Sequence, residues 1–132
     1  MRSRNPPALA GLEDVNQELV GDIQHIYDRL QITPQQLREF CQKWQIAELA
    51  VFGSILRDDF RVDGEDPSDI DFLFSYLPDT NMSLLRRSKM KIEIEDLCQR
   101  SVDLMLVTEV IQSHNLMRKK HILESARIIY AH

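Results

Sequence analysis

The chain has 132 residues, 43% of them hydrophobic, with a formal net charge of -5 and a pI of about 5.3. That length suits one domain with a real hydrophobic core. The acidic balance counts against broad nucleic-acid binding, which needs a basic face to displace counterions, but it leaves room for a local basic patch.

Residues 1–11 read as a loose polar tail with Pro6 and Pro7. The opening stretch MRSRNPPALAGLED has two arginines and no apolar run of the kind a signal peptide carries. From there Leu12, Val15, Leu19, Ile23, Ile26 and Leu30 recur at helical steps and predict one amphipathic helix. Such a stripe is more often core than interface, yet on a helix outside a compact core it also suits docking. Thr33-Pro34 reads as a cap and first position of a second helix, with Leu37, Phe40, Cys41 and Trp44 on its apolar face. These helices make up a helical extension over 12–46, and the remaining residues, 47–132, form the main domain.

Residues 48–52 predict a strand stopped by Gly53, and 55–60 a short helix. Residues 61–68 are polar and read as a loop. Ile70 to Tyr76, rich in aromatic and β-branched residues, predicts a strong strand. Residues 82–99 carry both a strand-like alternation and a helical stripe, and their length favours helix. A strand over 102–107, a helix over 114–125 and a short strand over 127–130 complete the order. Helices followed by alternating strands and helices indicate an α+β or α/β domain. The two cysteines, Cys41 and Cys98, are too few for a disulfide framework and lack zinc-ligand spacing, which fits a reducing, cytoplasmic setting. No apolar run is long enough to span a bilayer.

Chemistry concentrates in GSILRDDFRVDGEDPSDID, residues 53–71. On a strand, residues two apart share a face, so Asp69 and Asp71 present two carboxylates together while Ile70, Phe72 and Phe74 turn to the core. Like charges that close need a proton or a cation between them. Mg²⁺ suits one or two carboxylates with phosphate oxygens and water, and a pair of such ions can clamp both oxygens of a phosphoryl-type displacement. Gly53-Ser54 follows a strand, where a glycine permits a tight turn and close approach to phosphate, and Ser54 adds a donor. Arg57 lies about one helical turn further and can face the same site. Asp103 opens an apolar strand, where a carboxylate suits either a metal ligand or a general base. Each feature alone is commonplace; the combination is specific.

GSILRDDF, SDIDFLF and VDLMLV together resemble the minimal nucleotidyltransferases of the polymerase-β superfamily. The resemblance runs from Ala50 to Val107 and implies a mixed sheet flanked by helices, an α+β core with the two N-terminal helices as additions. It implies that Gly53 and Ser54 hold the triphosphate of ATP, with Arg57 matching a family arginine. It implies that Asp69, Asp71 and Asp103 bind Mg²⁺, two ions in all, and that Asp103 serves as the base. Fourteen residues separate Ser54 from Asp69 where the family has about ten, and the surplus falls in VDGEDP, a loop where insertion is cheap. Small members of the family resemble the antitoxin half of toxin–antitoxin pairs whose partner is a HEPN-domain ribonuclease toxin. That implies transfer of AMP from ATP to a toxin hydroxyl, typically a tyrosine, which silences the toxin. Two other readings stay open: an antitoxin that neutralises by binding alone, and a transferase acting on a small molecule or RNA.

The basic runs Arg86, Arg87, Lys89, Lys91 and Arg118, Lys119, Lys120, His121 read mainly as solvated helix faces. One residue of the second run is within reach of nucleotide phosphate or an acidic partner. His25, His114, His121 and His132 have no ligand spacing and predict no metal site of their own.

Overall fold

The computed structural model describes residues 20–132. The expected tail and the first half of the leading helix, with Leu12, Val15 and Leu19, lie outside the described residues. The remainder of that helix is α1, Val20–Leu30, and the second is α2, Pro34–Lys43. The expected start of α2 is observed in detail. The Thr33 hydroxyl accepts from the Gln36 N–H at 3.1 Å, and the Gln36 side chain accepts from the Thr33 N–H at 2.9 Å. This reciprocal pair satisfies two of the donors that a helix start leaves orphaned.

Four strands follow: β1 Ile46–Phe52, β2 Ile70–Tyr76, β3 Val102–Leu106 and β4 Arg127–Ala131. They form one mixed sheet in the order β3-β2-β1-β4, antiparallel except for the parallel pair β2/β3. A parallel pair needs a crossover, and α3, Leu84–Cys98, supplies it. The ambiguous stretch 82–99 is therefore helical, capped by Ser83, whose hydroxyl accepts from the Arg86 N–H. Two further helices, α4 Val107–Ile111 and α5 Leu116–Ser125, join β3 to β4.

Two sequence expectations are corrected here. The helix expected over 55–60 is a single 3-10 turn, Gly53–Leu56, because it begins at the glycine itself and closes when the Arg57 N–H reaches the Ser54 carbonyl at 2.9 Å. Val107 does not continue β3 but starts α4: the Glu109 carboxylate accepts from the Leu106 N–H at 2.9 Å and turns the chain. An apolar run that changes from strand to helix carries no change of composition to mark the boundary.

Apolar residues cover both faces of the sheet. Leu49, Val51, Phe72 and Phe74 face the larger cluster, built with α1, α2 and α3. Ala50, Phe52 and Leu73 face a smaller one with Val107 and Val110 of α4 and Ile122 of α5. Ile70, Phe72 and Phe74 thus point to the core as expected. The opposite face of β2 is also covered beyond Asp71, since Leu73 is fully buried. This alternation lays α5 over the face that carries the aspartate. Cys41 and Cys98 are buried free thiols, and burial pushes both thiol pKa values up. No helix among the described residues is long and apolar enough to cross a membrane.

Candidate active site

The turn after β1 is built by one glycine. Gly53 has φ +78, a left-handed conformation that side chains other than glycine rarely adopt. A Cβ placed there would stand 2.5 Å from Oδ2 of Asp71. The absence of a side chain is thus what lets the turn and the carboxylate of the neighbouring strand lie against each other. Phe52 and Asp71 are register partners across β1/β2, which fixes that approach in the sheet itself.

Asp71 is also the register partner of Asp103 across β2/β3. Asp69 precedes β2, and its carbonyl accepts from the Ser54 hydroxyl at 3.4 Å, a long contact. The structure therefore gathers Gly53, Ser54, Asp69, Asp71 and Asp103 at one end of the sheet. Asp71 is half-buried, and its carboxyl pKa is pushed up to about 6. Burial is the largest cause, followed by the charge and hydrogen bond of Asp103 and the charge of Asp69; Arg118 opposes the shift.

These residues border a cleft of about 400 Å³. Gly53, Ser54 and Arg57 line it, with Asp69 and Asp71 set against the turn. Arg118, His121 and Ile122 of α5 form a wall. Phe52, Asp59, Arg61 and Ser68 complete the lining. Asp103 stands beside Asp71 but outside this lining. Arg57 is exposed, with its Nε 3.2 Å from Asp59 Oδ1.

The long loop between turn and strand is closed at its neck. The Arg61 N–H donates to the Ser68 hydroxyl at 2.8 Å, and the Ser68 N–H donates to the Arg61 carbonyl at 2.9 Å. Arg100 then clamps it from beneath. Its Nη1 donates to the carbonyls of Ser68 at 2.8 Å and Arg61 at 2.9 Å, and its Nη2 to that of Val62 at 2.5 Å. The guanidinium of Arg100 lies 4.8 Å from the centre of the Phe60 ring, and that of Arg29 lies 5.2 Å from it. Arg29 also donates to the Ile55 and Arg57 carbonyls, which fixes the turn from the α1 side. The surplus residues of the loop thus bulge outward from a fixed base, and Asp69 leaves that base directly.

Sequence reasoning missed Arg100 altogether. It belongs to no motif, and its one sequence signal is a charged residue just before an apolar strand. Arg118 and His121 were visible only as members of a basic run, and packing of α5 on the second face of the sheet brings them to the cleft.

Among the described residues, no group of three or more His, Cys, Asp or Glu side chains stands ready-made for a metal ion. Mg²⁺ does not require one, since it binds through one or two carboxylates with substrate phosphates and water. The crowded carboxylates around Asp71 fit such an ion, because a divalent cation relieves the repulsion that adds to burial in pushing the Asp71 carboxyl up.

Solved structures share this fold. An MntA–HepT toxin–antitoxin mutant superposes with a TM-score of 0.54 at 9% identity, over 76% of this chain and 75% of that one. A toxin–antitoxin bound to AMP-PNP gives 0.53 at 10% identity, over 76% and 75%. A protein described as a minimal nucleotidyltransferase gives 0.50 at 22% identity, over 70% of this chain and 85% of that one. Identities this low carry the fold alone. No curated protein matches the sequence significantly. The sequence itself matches the nucleotidyltransferase domain family over residues 34–129, from the first residue of α2 into β4. The chain belongs to the nucleotidyltransferase domain family.

Proposed function

We propose that this chain is an antitoxin that transfers AMP from ATP to a hydroxyl, typically that of a tyrosine, on a HEPN-domain ribonuclease toxin. The observation that carries the reading is the contact at Gly53: a side-chain-free turn pressed against Asp71, itself in register with Asp103. A turn that offers donors to phosphate and a set of carboxylates suited to Mg²⁺ meet within one cleft. Family membership supports nucleotidyl transfer, and the fold shared with toxin–antitoxin structures supports a toxin as partner. The neighbour that holds AMP-PNP supports ATP as donor.

The chemistry follows from where the groups lie. Gly53 and Ser54 bind the triphosphate through N–H and hydroxyl donors. Asp69 and Asp71, with Asp103 beside them, would hold Mg²⁺. When bound, the metal supplies positive charge against the triphosphate and its leaving oxygen. The acceptor oxygen attacks the α-phosphorus, and its proton passes to the Asp103 carboxylate. The bond from the α-phosphorus to the bridging oxygen breaks, and the electron pair leaves with pyrophosphate. Asp103 is exposed, so a protein acceptor can reach its carboxylate.

The test is the intact mass of the protein encoded beside this chain, co-purified and incubated with it, ATP and Mg²⁺. Mass steps of one or more AMP units are expected, absent with the Asp69→Ala/Asp71→Ala double variant. An unchanged mass with the toxin still neutralised would replace this reading with a binding-only antitoxin.

A further inference from the structure

The wall of the cleft that belongs to α5 has no role in the motifs at Gly53, Asp69 and Asp71. α5 begins at an Asn115 cap, whose side chain accepts from the Arg118 N–H at 3.0 Å. Arg118 and His121 are three residues apart, hence on one face of the helix, and Ile122 on the same side is buried against the sheet. Ile122 therefore anchors the helix while Arg118 and His121 reach into the cleft from its edge.

Arg118 carries a charge that no acid among the described residues pairs with. Among the described residues it enters no ion pair, and its one side-chain hydrogen bond is a long one from Nη2 to the Met105 sulfur at 3.9 Å. The imidazole of His121 makes no hydrogen bond among the described residues. Yet Asp71 feels the charge of Arg118 across the cleft. Arg118 shares the cleft lining with Asp69 and Asp71 yet forms an ion pair with neither. Here it stands off, leaving space for an anion between cation and carboxylates. Gly53 and Ser54 add neutral donors to the same lining. A ligand that satisfies Arg118 and these donors is long, multiply anionic and able to carry a metal ion on one side.

We propose that Arg118, assisted by His121, binds the β- and γ-phosphates of the nucleotide, so that the pyrophosphate leaving group is held between α5 and the Gly53-Ser54 turn. This rests on the nucleotide-transfer reading above and assigns the residues that grip the leaving end. Arg118 suits the task because its planar fork meets two phosphate oxygens at once. It also explains how an acidic chain presents a phosphate site: Arg57 and Arg61 of the lining are paired with Asp59 and Asp66, and α5 adds an arginine that is not.

The test is calorimetric titration of wild type, Arg118→Gln and Arg118→Lys with ATP, AMP and inorganic tripolyphosphate, each with Mg²⁺. Arg118→Gln is expected to weaken ATP and tripolyphosphate roughly ten- to a hundredfold, the range for a lost charge-assisted hydrogen bond, and to leave AMP unchanged. Arg118→Lys should recover part of the loss, having the charge without the fork. Arg118 is exposed, so the melting temperature should match wild type. Unchanged tripolyphosphate binding in Arg118→Gln, or equal losses for ATP and AMP, would overturn the assignment. A wild-type protein that binds neither ATP nor tripolyphosphate would remove the nucleotide reading itself, and the assignment with it.

Discussion

Gly53 is the residue on which the site turns. Its φ of +78 disfavours a side chain, and the 2.5 Å approach of Asp71 leaves no room for one. Gly53→Ala is therefore expected to cost about 1–2 kcal/mol for the left-handed backbone alone. It should also displace the Asp71 carboxylate and stop transfer, as thermal melts and a transfer assay would record. Asp71→Asn should behave in the opposite way towards stability. Burial and two neighbouring carboxylates disfavour the charged form of Asp71 in the folded state. Removing that charge should stabilise the fold in metal-free buffer at neutral pH by about 1 kcal/mol once solvent screening is allowed for, read as a higher melting temperature. Transfer should fall roughly a hundredfold or more, the scale on which a preorganised electrostatic group acts. Mg²⁺ should stabilise wild type and leave Asp71→Asn unmoved. A variant that is both less stable and still active would contradict this assignment. At this scale the sequence was informative. A Gly-Ser pair after a strand and an alternating pair of aspartates are local patterns, and local geometry is what a sequence encodes most directly.

At the scale of elements, two arginines hold the parts in place. Arg87 on α3 pairs with Glu109 of α4 at 2.8 Å and donates to the Leu104 carbonyl at 2.7 Å, tying the crossover helix to the end of β3. The Arg87 hydrogen bond holds the Glu109 carboxyl below its ordinary value. The pair's contribution is complete above the unfolded carboxyl pKa and is lost as pH falls through the depressed folded value. Glu109→Gln should therefore lower the melting temperature at pH 7, by less than about 1 kcal/mol for so exposed a carboxylate. The gap to wild type should close as the buffer is taken to acid. Arg100 has larger consequences, since three loop carbonyls depend on it. Arg100→Ala should cost about 2 kcal/mol or more and open the 61–68 loop to trypsin at Arg61. By contrast, trimming the exposed tip around Gly64, which has nothing within 4 Å of its Cβ position, should leave stability and transfer unchanged. Hydrophobic pattern revealed the strands and long helices, and the Thr33 cap revealed its own helix start. It could not reveal α4, which continues an apolar run, nor the Arg100 clamp, whose partners lie up to 39 residues away.

For the whole molecule, the arrangement reconciles a net charge of -5 with the phosphate site proposed for the cleft. The sheet is covered on both faces, and the second, smaller cluster is what carries α5 over the aspartates. Alternation along β2 identified the aspartate side correctly but not that a helix would roof it, because the roof depends on the chain returning through β4 to the far edge of the sheet. The most direct measurement is transfer of label to the co-purified neighbouring protein from ATP labelled at either the α- or the γ-phosphate. Label retained from the α-position and lost from the γ-position, dependent on Asp71, is the predicted result. Label retained from the γ-position, or α-label retained equally by Asp71→Asn, would contradict nucleotidyl transfer at this cleft.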